Sequence, residues 1–215
     1  MSLSRVIYCF WPGLDEMSDR RKRCLEQLRH ASECEVVLVT PRNLPSYILR
    51  SDPLHPGFMF LSEVHKADYL RTYFMHFHGG GYSDIKETTG SWKSCFDELE
   101  TSDAYGCGYK EVIGGTANTV PPETWTVLIG NDSYIFKPRT PFTTEWYSRM
   151  MDKMNQHFTS LIFFPSRFSR DQLGSGSGYP LKWTEILGDI FHPVSLQHQD
   201  KLLRTQPPNI FENYQ

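Results

Sequence analysis

The chain lacks the marks of several protein classes. Its five cysteines (Cys9, Cys24, Cys34, Cys95 and Cys107) are odd in number and include no C-x-x-C pair. That disfavours a zinc ribbon or a disulfide framework and fits reduced thiols in a cytosol-like compartment. No apolar run approaches the ~20 residues a membrane helix needs. The opening residues, Met1-Ser2-Leu3-Ser4-Arg5, lack the hydrophobic segment of a secretory signal. A cytoplasmic protein without membrane insertion is therefore expected. Positive charge is also scarce: 22 Lys and Arg stand against 25 Asp and Glu, and the one basic run is Arg20–Arg23. This leaves no electrostatic footprint for nucleic acid. The basic run lies in a helical stretch from Asp15 to Glu33 and reads as a solvated face.

What is present fits a globular α/β protein. With 215 residues, 39% of them apolar, the chain can fill one core. Val6–Trp11 reads as a buried strand closed by Pro12-Gly13, Asp15 to Ser32 as a helix, and Glu35–Thr40 as a second strand stopped by Pro41. Such a strand–helix–strand opening predicts parallel pairing with a right-handed crossover. Further strands are predicted at Tyr82–Ile85, at Asp103–Lys110 near a sheet edge, and at Thr126–Gly130. Helices are predicted over Ser62–His78, Ser91–Leu99 and Trp183–Ile190, the last ended by Pro193. Phe142, Trp146, Met150, Met154 and Phe158 recur every four residues as a core stripe. Pro165 to Tyr179, rich in Ser, Arg and Gly, reads as a mobile loop. The fold class is a single α/β domain over 1–215 with a mixed, mostly parallel central sheet flanked by helices. Its ligand site is expected at the carboxyl ends of the strands. Gln206-Pro207-Pro208-Asn209 resembles a linker, as if this were the N-terminal domain of a longer polypeptide.

The most informative stretch is Lys66-Ala67-Asp68-Tyr69-Leu70-Arg71, followed by Gly79-Gly80-Gly81-Tyr82-Ser83-Asp84-Ile85-Lys86. Val64, Ala67, Leu70, Phe74 and Phe77 form an apolar helical face, Ser62 is a plausible N-cap, and the glycines end the helix. Asp68 and Arg71, at i and i+3, share a face. Asp68 lies about ten residues before the helix end, roughly 15 Å at ~1.5 Å per residue. Asp84 lies about five residues beyond the first glycine, roughly 16 Å at ~3.3 Å per residue. If the strand folds back along the helix, Asp68, Arg71 and Asp84 meet at one height, an arrangement suited to a sugar diphosphate with a divalent metal. His76 and His78, two apart on a helix, face different ways and cannot chelate together.

This pattern resembles the A-x-D-x-L-R … G-G-x-Y-x-D-x-D block of the DxD glycosyltransferases with the GT-A fold. The similar branch holds yeast-type initiating mannosyltransferases, capsular-polysaccharide sugar transferases and glucosylating clostridial toxins. The Asp68-to-Asp84 interval of sixteen agrees with that family, and Arg71 and Tyr82 fall in register. The resemblance is tight over Leu61–Lys86 and looser at Val6–Gly13, Leu128–Phe142 and Gly174–Trp183, about a quarter of the chain. A more general similarity links the chain to the glycosyltransferases of large algal viruses that build capsid glycans, which would place it in the host cytoplasm.

The resemblance implies a hexosyltransferase that moves a hexose-type sugar from a UDP-sugar to a hydroxyl of a glycan or glycoprotein, assisted by Mn2+ or Mg2+. By register, Trp11 would stack on uracil, with Phe10 and Thr40 as weaker neighbours. Asp68 would hold the donor sugar's hydroxyls, Arg71 would bind phosphate or sugar, and Tyr82 would buttress the site. Asn131 would contact the transferred sugar, and Trp183, after the Gly-Ser loop, would close over the donor. Asp132 beside Asn131 is a candidate general base if configuration inverts. One position departs from the family: Lys86 stands where the second Asp of DxD belongs. Either Asp84 holds the metal with help from elsewhere, or the Lys86 ammonium contacts the diphosphate and partly replaces the cation. The rival reading is a catalytically inactive sugar-nucleotide or glycan-binding module on the same fold.

Overall fold

The structure, a computed structural model, describes residues 3–112 and 117–212. Strands β1 (Val6–Phe10), β2 (Glu35–Val39), β3 (Gly80–Ser83), β4 (Gly106–Lys110), β5 (Ile129–Phe136) and β6 (Leu202–Leu203) form one sheet in the order β2-β1-β3-β5-β4-β6. β5 runs antiparallel to both neighbours, while the β1–β2, β1–β3 and β4–β6 pairs are parallel. The mixed, mostly parallel sheet is thus as expected. Helices α1 (Asp19–Ser32), α2 (Glu63–Phe77), α3 (Lys93–Thr101), α4 (Pro141–Phe163) and α5 (Gly188–Gln197) flank it.

Strand periodicity divides the core. Tyr8 and Phe10 of β1 join Tyr82, Tyr134 and Phe136 on the face packed by α2, α4 and α5. Ile7 and Cys9 join Cys107 and Ile135 on the opposite face, under α1 and α3. The α4 stripe behaves as its spacing predicts: Phe142, Trp146, Met150 and Met154 are fully buried, and Phe158 is half-buried against His55. Thr140 caps that helix in a reciprocal box with Thr143, and Pro141 opens its first turn.

Local chemistry explains the boundaries of the key segment. Ser62 caps α2 by accepting the His65 N–H. Gly79 ends it at φ 64°, its N–H reaching back to the Phe74 carbonyl at 3.0 Å. A Cβ at Gly79 would lie 2.6 Å from Pro138 Cδ and 2.9 Å from the Phe136 carbonyl, so the turn needs glycine. β3 therefore begins at once and ends at Ser83, two residues earlier than the predicted Tyr82–Ile85. Asp84 lies just past the strand, held by its N–H to the Asp132 carbonyl at 2.8 Å. A tight turn follows, in which the Lys86 N–H meets the Asp84 carbonyl at 2.7 Å.

Other boundaries differ from the sequence reading: α5 starts at Gly188 rather than Trp183, and α3 spans Lys93–Thr101 rather than Ser91–Leu99. α1 starts at Asp19 rather than Asp15, because Ser18 supplies the cap. Thr126 and Val127 belong to a 3-10 turn opened by Pro121-Pro122, so β5 starts only at Ile129. The strand predicted at Asp103–Lys110 begins at Gly106; it lies near the sheet edge as expected, with only the short β6 outside it. Pro193 lies inside α5 rather than ending it, since burial of Ile190, Phe191 and Val194 outweighs one missing backbone hydrogen bond. The Pro165–Tyr179 loop is anchored, with buried Asp171 accepting from Ser177 Oγ at 2.7 Å and from the Arg167 N–H at 3.0 Å. No helix among the described residues is long and apolar enough to cross a membrane.

Candidate functional site

A cleft of about 950 Å³ opens where β1 and β3 end and β5 begins. This is the carboxyl edge of the parallel strands, where open α/β sheets bind ligands. Phe10, Trp11, Asp68, Arg71, Tyr82, Asp84, Lys86, Asn131, Asp132 and Trp183 all line it. Thr40 does not line it: its N–H and hydroxyl are turned to Asn43 Oδ1 in the turn after β2.

Helix α2 brings one face of the cleft together. Arg71 Nη2 lies 3.2 Å from Asp68 Oδ1 and 3.3 Å from Asp84 Oδ1, and Nη1 donates to the Asn131 carbonyl at 2.9 Å. The guanidinium carbon sits 4.3 Å from the Tyr82 ring centroid, and the Tyr82 hydroxyl donates to Asp84 Oδ1. Phe10 stacks on Tyr82 at 5.6 Å and supports the ring. Helix, turn and strand thus deliver the two acids and the guanidinium to one height.

The other face is built around Lys86. Its ammonium lies 3.0 Å from Asp84 Oδ2 and 2.9 Å from Asp132 Oδ2, with the Phe211 ring centroid 4.9 Å away. Burial alone would raise the Asp84 carboxyl. Lys86, Arg71 and the Tyr82 hydrogen bond outweigh it and hold the group down at about 2. Burial opposes the charge on Lys86 as well, and Asp84 and Asp132 overcome it, so the ammonium titrates higher than an ordinary lysine. Burial pushes Asp68 up against the pull of Arg71, and pushes Asp132 up against the pull of Lys86.

Trp11 is half-buried at the mouth, with Nε1 donating to the Asp15 carbonyl at 2.8 Å. Trp183 is 36% exposed and the Arg170 guanidinium lies 5.2 Å from its ring. Several lining residues escaped the sequence reading. Arg21, taken as part of a solvated face, reaches the Ile85 carbonyl at 2.7 Å. Tyr109 lies across Gly130, where a Cβ would be 1.8 Å from Tyr109 Cζ. Glu111, past the end of β4, lies 3.3 Å from the fully buried His192, which itself stays behind the cleft wall. Phe211 follows directly on the 206–209 segment that resembles a linker. A glycine inside an apolar strand was the one signal that could have pointed to Tyr109.

The residues do not fit a divalent ion held at Asp84. Both of its carboxylate oxygens are engaged, Oδ1 by Arg71 and Tyr82 and Oδ2 by Lys86. The Lys86 ammonium also fills the space between Asp84 and Asp132 that a bridging ion would take. Among the described residues, no group of three or more His, Cys, Asp or Glu could hold a metal ion.

The chain is similar in structure to a solved protein described as PaToxG glycosyltransferase. The TM-score is 0.54 at 11% identity, over 91% of this chain and 68% of that one. At that identity the likeness is one of fold, and it agrees with the sheet order and flanking helices: the chain has a GT-A-like α/β fold. No protein-family model and no curated protein matches the sequence.

Proposed function

We propose that the protein is a glycosyltransferase that moves a hexose-type sugar from a UDP-sugar to a hydroxyl of a glycan or glycoprotein. The observation that carries this is Arg71, buried and within 3.3 Å of both Asp68 and Asp84 in the cleft at the strand ends. A buried guanidinium fixed by two acids and a tyrosine ring is a pre-oriented phosphate and sugar binder. The similarity of fold to a glycosyltransferase supports the reading.

In this reading Trp11 contacts uracil, Asp68 orients the sugar hydroxyls, and Asn131 contacts the transferred sugar. The bond from the anomeric carbon to the diphosphate oxygen breaks, and its electron pair stays on that oxygen. The acceptor hydroxyl oxygen bonds the anomeric carbon and gives its proton to the departing diphosphate oxygen. Arg71 and Lys86 oppose the charge that develops on the departing UDP. Three carboxylates (Asp68, Asp84 and Asp132) surround these two cations, so Arg21 and Arg170 at the rim add the positive charge a diphosphate needs. Asp132, already paired to Lys86, is poorly placed as a free base. The Mn2+ or Mg2+ expected from the resemblance would enter only by displacing Lys86. Trp183 and Arg170 are placed to close over the donor and exclude water, which would otherwise compete as acceptor.

A UDP-release assay over a panel of UDP-sugars, with manganese or with chelator, tests the proposal. Release that Arg71→Ala abolishes supports it; no release from any donor refutes it. A second reading, a sugar-nucleotide-binding module without turnover, is favoured by Lys86 standing in the DxD position. It predicts UDP binding with no release.

A further inference from the structure

The 206–211 segment is docked against the domain at this site. Gln206 donates from its N–H to the Gly108 carbonyl at 3.2 Å and from Nε2 to Ser133 Oγ at 3.0 Å. The Pro208 carbonyl then accepts from the Thr89 N–H at 3.2 Å and from Thr89 Oγ1 at 3.1 Å. Asn209 bridges antiparallel to Thr88, and the Ile210 N–H meets the Glu87 carbonyl at 2.7 Å. The 206–210 segment therefore runs along the 87–89 segment like an added strand and brings Phe211 to the cleft.

Two side chains of the 206–211 segment reach the charged centre. Asn209 is 3% exposed, and its Nδ2 donates to Ser83 Oγ at 3.1 Å and to Asp132 Oδ2 at 3.4 Å. Ser83 Oγ in turn donates to the Asp84 carbonyl at 2.8 Å. One amide thus ties the end of β3, which carries Asp84, to β5, which carries Asp132. Phe211 lines the cleft, lies over the Lys86 ammonium, and meets the Tyr109 ring at 6.0 Å. A buried ion pair holds its geometry only when its remaining hydrogen-bonding capacity is met. An aromatic face also favours a desolvated ammonium.

We propose that Asn209 and Phe211 are positioning residues for the donor diphosphate: Asn209 sets the Asp132 carboxylate against Lys86, and Phe211 walls the ammonium so that it faces the phosphates. This rests on the sugar-nucleotide reading above and extends the site to a segment more than 120 residues from Asp84 in sequence. Without the tail, Lys86 would swing towards solvent, while Trp11, at the end of β1, would be untouched.

The test is calorimetric titration of UDP and of uridine into the full chain and its Asn209→Ala and Phe211→Ala variants, in chelator and again with manganese. The expected result is an affinity for UDP reduced about tenfold or more in Asn209→Ala and a few-fold in Phe211→Ala, with uridine affinity unchanged. Equal losses for UDP and uridine, or no loss, would overturn the proposal. If Asn209→Ala does not fold, Phe211→Ala decides, because that side chain is 46% exposed and its loss leaves the core intact. Wild-type protein that binds neither ligand under either condition would overturn the parent reading and this one together; normal UDP binding with unselective variants would overturn this one alone.

Discussion

The two cationic centres of the cleft are assembled in different ways. Arg71 is held chiefly by Asp68, Tyr82 and Asp84, all within seventeen residues of one another, with one further bond to the Asn131 carbonyl on β5. Lys86 is held by Asp84 beside it, by Asp132 on β5 and by the tail's Phe211. The first centre follows from one helix, one glycine turn and one strand. The second exists only after the sheet has formed and the tail has docked. The Arg71 centre draws chiefly on local contacts and the Lys86 centre chiefly on remote ones. Breaking the two centres separately should therefore give different signatures.

The largest effect is expected at Arg71. Arg71→Ala leaves the buried Asp68 carboxylate without its cation and Asp84 with Lys86 alone, a change that costs about 3–5 kcal/mol when a buried pair is broken. Thermal melting should show that loss, and calorimetry should show no UDP binding. Arg71→Lys should not rescue binding, because one ammonium cannot reach Asp68, Asp84 and the Asn131 carbonyl in the same geometry. Next comes Lys86. Lys86→Ala should weaken UDP about tenfold or more, on the order of the 1.5–3 kcal/mol of a hydrogen bond to a charged group, while uridine is spared. Lys86→Asp rebuilds a DxD and should make UDP binding depend on manganese. Manganese dependence already present in wild type would show instead that Lys86 yields to the metal.

Trp11→Ala should weaken UDP and uridine alike, by the roughly 1–3 kcal/mol of base stacking. A normal affinity with early melting would make Trp11 a core residue instead. A smaller signature is set by Asp84. Its carboxyl is depressed to about 2, so its pairing is fully present above the ordinary carboxylate value and is lost as pH falls through the lower one. The stability difference between wild type and Asp84→Asn should be constant above about pH 4 and shrink towards about pH 2. Thr40→Ala should change UDP affinity less than twofold, because Thr40 faces Asn43 and not the cleft.

The Arg71 centre was legible in the sequence because its parts obey fixed periods. A rise per helical residue and a rise per strand residue suffice to place Asp68 opposite Asp84. The strand alternation and the α4 stripe were readable for the same reason. The Lys86 centre was not legible. Asp132 and Lys86 could be named as candidates, but no local period tells that their side chains meet, and nothing in Gln206-Pro207-Pro208-Asn209 distinguishes a docked tail from a linker. Pro193 was misread as a stop because three buried neighbours offset its missing N–H, a tertiary effect. Arg21 was misread because the solvated-face rule describes a whole run and not the one member that turns inward.

The central claim is that the Asp68–Arg71–Asp84 centre binds a sugar nucleotide for transfer. UDP release from a panel of UDP-sugars, measured on wild type and Arg71→Ala in chelator and in manganese, tests it most directly. The account predicts release from at least one donor by wild type, persisting in chelator, and none by Arg71→Ala. No release from any donor by wild type, or equal release by a folded Arg71→Ala, would contradict it.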